Sequence, residues 1–152
     1  MYTIEKGSFA MTHHFYQTCA YFTAARYMRS VTQLTDKVFA PTGLKPAYSY
    51  IMMALEDQHP QTIKDLSTKL GYERSTISRL TKALAQKDLV TLQAQGRATS
   101  IDLTATSAAF LVTANQCLDQ LTATTDRLMG ADKAPMTALL TANNQKIRED
   151  LQ

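Results

Sequence analysis

Between Thr62 and Leu103 the apolar residues keep a helical period through two runs and then give way to strand character. Ile63, Leu66 and Leu70 recur at steps of three and four, which places them on one face of a helix. Gly71 then interrupts the pattern, as a residue that readily takes the left-handed backbone of a helix C-cap. The helical step resumes through Ile77, Leu80 and Leu84, on a helix expected from about Arg74 to Lys87. Residues 89–93 and 98–103 have strand character, and Gln95-Gly96-Arg97 between them reads as a hairpin tip. Two helices joined by a tight Gly-containing turn form a helix-turn-helix. The hairpin that follows the second helix makes the segment a winged helix.

Long helical stretches flank this segment. From Thr12 to Phe39 there is no Gly or Pro, and Phe15, Cys19, Phe22, Ala25, Val31, Leu34 and Val38 keep helical steps. Thr12 is the expected cap and Pro41-Thr42-Gly43 the stop. One helix of about 28 residues would run ~42 Å, more than a small globule covers alone, so a second chain is expected to pack on it. Pro46 suits the first turn of a helix over residues 47–55 carrying Ile51, Met52 and Leu55. Met52 and Met53 are adjacent, so only one is expected to face the core, as packing and not as a copper site. Gln58-His59-Pro60 reads as a break, because the residue before a proline avoids the helix. Thr104 opens another long stretch, with Phe110, Ala114, Leu118, Leu121, Thr125 and Leu128 at near-heptad steps up to Gly130. A last helix over 134–151 carries Met136, Leu140 and Ile147, with Pro135 in its first turn. The expected fold is therefore mostly α with a small β-wing. Residues 1–45 form an N-terminal dimerisation helix, 46–104 a winged helix-turn-helix lobe and 105–152 C-terminal dimerisation helices. Pairing the end helices across a two-fold axis would bury their apolar faces.

Of the 152 residues, 45% are hydrophobic, enough for a real core and too many for bulk disorder. No apolar run approaches the ~18 residues of a membrane helix. No secretory signal is read at the start, so a cytoplasmic chain with Cys19 and Cys117 as free thiols is expected. The formal net charge is +3, and all of that excess lies in residues 61–104. There Lys64, Lys69, Arg74, Arg79, Lys82, Lys87 and Arg97 face Asp65, Glu73, Asp88 and Asp102; the rest of the chain is balanced. A local positive excess on a compact lobe suits a polyanion partner. The chain has no Gly-rich phosphate loop, nucleophile elbow or paired-carboxylate spacing, so it is not expected to be an enzyme. His13-His14 and His59 make no metal motif with either cysteine, and no metal or other cofactor is expected.

These residues resemble the MarR family of winged-helix regulators over almost the whole chain. The stretch Arg29-Ser30-Val31-Thr32-Gln33-Leu34-Thr35-Asp36, with Leu44 after Pro41-Thr42-Gly43, is similar to the end of that family's first helix. Leu66, Leu70-Gly71, Arg74-Ser75-Thr76-Ile77-Ser78-Arg79-Leu80, Leu84 and Leu89-Val90 resemble its helix-turn-helix. Ile101-Asp102-Leu103-Thr104 resembles the close of its wing. Five positions depart from the pattern. Gln95-Gly96-Arg97 stands where the family usually has Asp-Arg-Arg, and Asp88 replaces a Gly before Leu-Val. Tyr48 replaces a common Gln, and Ser107 a Gly. Asp tolerates the left-handed backbone better than most residues, so the turn at 88 is expected to survive.

With Ile77, Leu80 and Leu84 facing inward, Ser75, Thr76, Ser78, Arg79 and Lys82 face out as a surface suited to a major groove. Arg79 can bond guanine bidentately. Arg74 and Lys82 suit phosphates, and Arg97 at the wing tip can reach a minor groove. The rival role for Arg79 is an ion pair with Glu73 or Asp65. The resemblance implies a homodimeric repressor on a near-palindromic duplex, with half-sites about 10 bp apart. It also implies a small aromatic or carboxylate effector, for which Phe22, Arg26, Tyr48 and Met52 are the candidate ligand residues. An intersubunit ion pair is the alternative role for Arg26. Two further readings stand beside it: a winged-helix protein-interaction dimer without DNA binding, and an oxidant-sensing repressor using Cys19. Aligned on Arg29-x-x-Thr32, the family's hydroperoxide sensors place their cysteine at Tyr21, about 200° round the helix from Cys19.

Overall fold

The computed structural model describes residues 4–5, 8–9 and 13–152. The chain divides into two units, Met1–Thr35 and Asp36–Gln152. In the first, β1 (Ile4–Glu5) and β2 (Ser8–Phe9) pair antiparallel. Thr12, the expected cap, lies outside the described residues. The expected single helix is interrupted. A one-turn α1 (Phe15–Thr18) ends at Cys19, whose backbone is extended (φ −80°, ψ 119°), and α2 (Ala20–Phe39) then begins. A contact distant in sequence accompanies the break. An unbroken helix would commit the Tyr16 carbonyl to the amide four residues on. Instead it accepts from Arg26 Nη2 at 2.6 Å. The same guanidinium sits 5.3 Å from the centre of the Phe22 ring, and Phe15 and Tyr16 pack edge-on against that ring. At 20 residues, α2 is about 30 Å long.

The second unit opens with the last turn of α2, where Phe39 is fully buried, and a 3-10 turn, Ala40–Thr42. It continues through α3 (Pro46–Asp57), β3 (Gln61–Thr62), α4 (Ile63–Leu70), α5 (Arg74–Gln86), β4 (Val90–Gln95) and β5 (Ala98–Leu103). Then come α6 (Ser107–Met129), a 3-10 turn at Gly130–Asp132, and α7 (Lys133–Asp150). The sheet order is β3-β5-β4, all antiparallel, with register from Val90↔Leu103 to Gln95↔Ala98. Strand β3 was not expected. Gln61 and Thr62 pair with Ile101 and Ser100, and the Thr62 hydroxyl also caps α4 by accepting the Asp65 N–H at 3.1 Å.

Phe39, Ile51, Met52, Leu55, Leu66, Ile77, Leu84 and Ile101 have no exposed surface and form the core. Met53 is buried as well, so the expectation that only one of the two methionines faces inward is corrected. Helix α3 packs against α4, α6 and β5, and a helix with neighbours on several sides buries more than one stripe. At the other extreme, α7 has no buried residue, and Leu139, Leu140 and Ile147 stand at least half exposed.

Candidate nucleic-acid interface

Helix α5 is held by Ile77 and Leu84, both fully buried, and by Leu80. Thr81 shares that face, its hydroxyl donating to the Ile77 carbonyl at 2.7 Å. This anchoring decides which residues face away. Arg74, Ser75, Arg79 and Lys82 are exposed, and Thr76 and Ser78 are half-buried. Arg79 does not pair with Glu73 or Asp65. The ion pairs among the described residues are Lys45–Asp36 at 3.6 Å and Lys133–Asp126 at 2.8 Å. None of the seven bases in residues 61–104 takes part in either.

The ends of α5 are set by two left-handed residues. Gly71 (φ 76°) closes α4, its N–H donating to the Ser67 carbonyl at 2.9 Å. Asp88 (φ 62°) follows α5, as its tolerance of that backbone led us to expect. Its carbonyl accepts two hydroxyls, Thr104 Oγ1 at 2.6 Å and Thr106 Oγ1 at 2.7 Å. The end of α5 is thereby tied to the segment joining the wing to α6. The wing itself turns on two residues. Gly96 (φ 60°) takes the first position, as a type II′ hairpin requires, and Arg97, which is exposed, takes the second. The side chains of residues 91–95 are exposed on both faces of this edge strand.

Some exposed groups near this face were not among the expected contacts. Lys64, Lys69 and Lys87 are exposed bases that the charge tally contained without ranking. Gln93 and Gln95 present neutral amides on β4, and neither charge nor period marks such residues.

The candidate effector residues fall in both units. In the first, Phe22 is half-buried and Arg26 exposed, its guanidinium engaged by the Tyr16 carbonyl and the Phe22 ring. In the second, Tyr48 is half-buried, whereas Met52 is wholly enclosed in the core and offers no surface to a ligand. Cys19 is half-buried, and its Sγ accepts the Phe22 N–H at 3.4 Å at the head of α2. Cys117 is a free, buried thiol whose pKa is pushed up by burial. Burial, and secondarily Tyr72 nearby, raises that of Tyr50. No group of three or more metal-ligating side chains occurs among the described residues, and no described helix is long and apolar enough to cross a membrane.

The sequence profile of the MarR family matches residues 42–98, the stretch from the turn after α2 to the start of β5. Among solved structures, the chain is similar to the M. tuberculosis transcriptional regulator MosR in complex with DNA. The identity is 25% over 88% of this chain and 98% of that one, with a TM-score of 0.75. It shares its fold with the transcriptional repressor CouR bound to a 23-mer DNA duplex (18% identity, 89% and 98% coverage, TM-score 0.75). The fold is likewise that of the PcaV regulator from Streptomyces coelicolor with its natural ligand (16% identity, 93% and 100% coverage, TM-score 0.75). No curated protein matches the chain at the sequence level.

Proposed function

We propose that this chain, whose residues 42–98 match the MarR family, is a regulator of that family, a ligand-responsive repressor that binds a near-palindromic duplex operator as a homodimer. DNA-binding transcriptional regulation is the business of the family, and no enzymatic step belongs to it. The observation that carries the reading is the outward face of α5. Ser75, Arg79 and Lys82 are exposed on a helix pinned by its opposite side, and neither base is in an ion pair among the described residues. In this reading Arg79 contacts a base edge from the major groove, Arg74 and Lys82 contact phosphates, and Ser75, Thr76 and Ser78 hydrogen-bond to either. Arg97 touches the adjacent minor groove with one positive charge per wing. Residues 1–45 and 105–152 supply the dimer contacts, and 46–104 the DNA-binding lobe. The protein acts in the cytoplasm, where its operator is. Its effector is a small aromatic or carboxylate compound, for which Phe22, Arg26 and Tyr48 remain the candidate contacts, Met52 being enclosed.

Selection of bound sequences from random duplexes at moderate salt tests the reading. It should enrich an inverted repeat with half-sites about 10 bp apart. Failure to enrich any motif would favour a protein-interaction dimer without DNA binding. A second reading, oxidant sensing, is favoured by one observation: the Cys19 sulfur sits half-buried where α2 begins. It predicts that peroxide releases the selected duplex from the protein and leaves the Cys19→Ser variant bound. Equal release from both removes Cys19 from the mechanism.

A further inference from the structure

A cleft of about 770 Å³ opens between the C-terminal end of α3 and the first turns of α6. Its apolar wall includes Leu103, Leu111 and Val112, and its polar side chains include Glu56, His59 and Asn115. No Lys or Arg lines it, and Glu56 is in no ion pair among the described residues.

The hydrogen-bond inventory of the lining is lopsided. Asn115 Nδ2 donates to Glu56 Oε1 at 2.9 Å and to the Leu111 carbonyl at 2.8 Å, which spends both amide hydrogens. His59 Nδ1 lies 2.7 Å from the Leu55 carbonyl. A carbonyl only accepts, so Nδ1 carries a proton, and in that tautomer Nε2 is an acceptor. The two lining hydroxyls are spent too, Thr104 on the Asp88 carbonyl and Ser107 on the Thr104 carbonyl at 2.7 Å. Every side-chain donor of the cleft is therefore committed. What remains is Glu56 Oε2, Asn115 Oδ1 and His59 Nε2, all acceptors, one of them charged.

The geometry points to a binding site for a small organic cation, an ammonium or amidinium on an apolar body. The charged head meets the Glu56 carboxylate and the apolar body lies on Leu103, Leu111 and Val112. A carboxylate effector would meet the Glu56 charge there and finds no free side-chain donor, so this site is separate from the one that the family reading assigns. It also has a route to the DNA-binding face. Thr104 lines the cleft and holds the end of α5 through the Asp88 carbonyl, so an occupant bears on the anchor of the recognition helix.

The test uses the full chain without DNA, so its outcome is independent of whether the operator reading stands. Phenethylamine, 2-phenylethanol and phenylacetate, of similar size and differing in charge, are titrated into labelled protein and followed by NMR. Phenethylamine should shift the Asn115 side-chain amide and the Leu111 and Val112 methyls saturably, the alcohol should bind about fivefold more weakly, and phenylacetate should not bind. Glu56→Gln keeps an acceptor for Asn115 and removes the charge. It should weaken phenethylamine about fivefold and leave the alcohol unchanged. Val112→Lys, which brings a cation to the cleft, should abolish amine binding if Glu56→Gln proves poorly folded. Equal binding of the three probes, shifts that map elsewhere, no saturable binding, or a phenethylamine affinity untouched by both substitutions would overturn the proposal. So would zinc ion shifting these resonances where phenethylamine does not.

Discussion

Arg79→Ala should separate DNA binding from folding. Arg79 is exposed, forms no ion pair among the described residues, and lies in the interior of α5, where Ala is at least as good a helix former. Its removal should change folding stability by less than about 0.5 kcal/mol. A bidentate Arg–guanine contact gives ~1–3 kcal/mol of discrimination. A two-fold complex makes the contact twice, for a loss of ~2–6 kcal/mol. At ~1.4 kcal/mol per factor of ten, that weakens operator binding by about 30-fold to about 10⁴-fold. Lys82→Ala behaves differently if it touches phosphate. It weakens all duplexes alike and flattens the log–log salt slope by about 0.9 per subunit. Fluorescence anisotropy on the selected duplex and on a scrambled one, at several salt concentrations, reads both effects. Urea unfolding and sedimentation report the fold and the assembly. Operator affinity kept within twofold in Arg79→Ala would refute the recognition face. An equal loss on the scrambled duplex, with a shallower salt slope, would move Arg79 to the phosphates.

Gly71→Ala meets no atom within 4 Å of the new Cβ, so only the backbone at φ 76° resists it. The urea midpoint should fall by an amount equivalent to ~1–2 kcal/mol, with the operator affinity of the folded fraction unchanged. Tyr50 ionises above its ordinary 10.0 in the folded chain, because burial and then Tyr72 disfavour the phenolate. Above about pH 10 the unfolded chain therefore loses this proton first, so the stabilisation is complete below that pH and declines as pH rises through the folded value. Buried Cys117 adds a decline of its own. The Tyr50→Phe variant should consequently lose stability less steeply than the parent on the alkaline side, and identical slopes would remove Tyr50 from the account.

The elements that local chemistry dictates were legible. Gly71 supplies a left-handed cap, Gly96 a two-residue turn, and the step from Ile77 to Leu84 tells the inner face of α5 from the outer. What escaped depends on partners far along the chain. Nothing in the Gly- and Pro-free stretch announces a break at Cys19, where Arg26 bonds the Tyr16 carbonyl across ten residues. Strand β3 is two residues long and exists through Ser100 and Ile101, some forty positions away. Met52 illustrates a third limit. A helical wheel assigns it a face, but not how many neighbours close around that helix, and here they leave it no surface. Exposure of Arg79 followed from periodicity, whereas its freedom from Glu73 and Asp65 required coordinates.

Helix α7 runs for 18 residues without one fully buried side chain. An isolated helix of that length is only marginal in water. In the proposed homodimer a second copy would lie over Leu139, Leu140 and Ile147 and supply the order of the helix by mass action. The melting temperature should climb as the protein is concentrated, and the last eighteen-residue segment should be the first to fray on dilution.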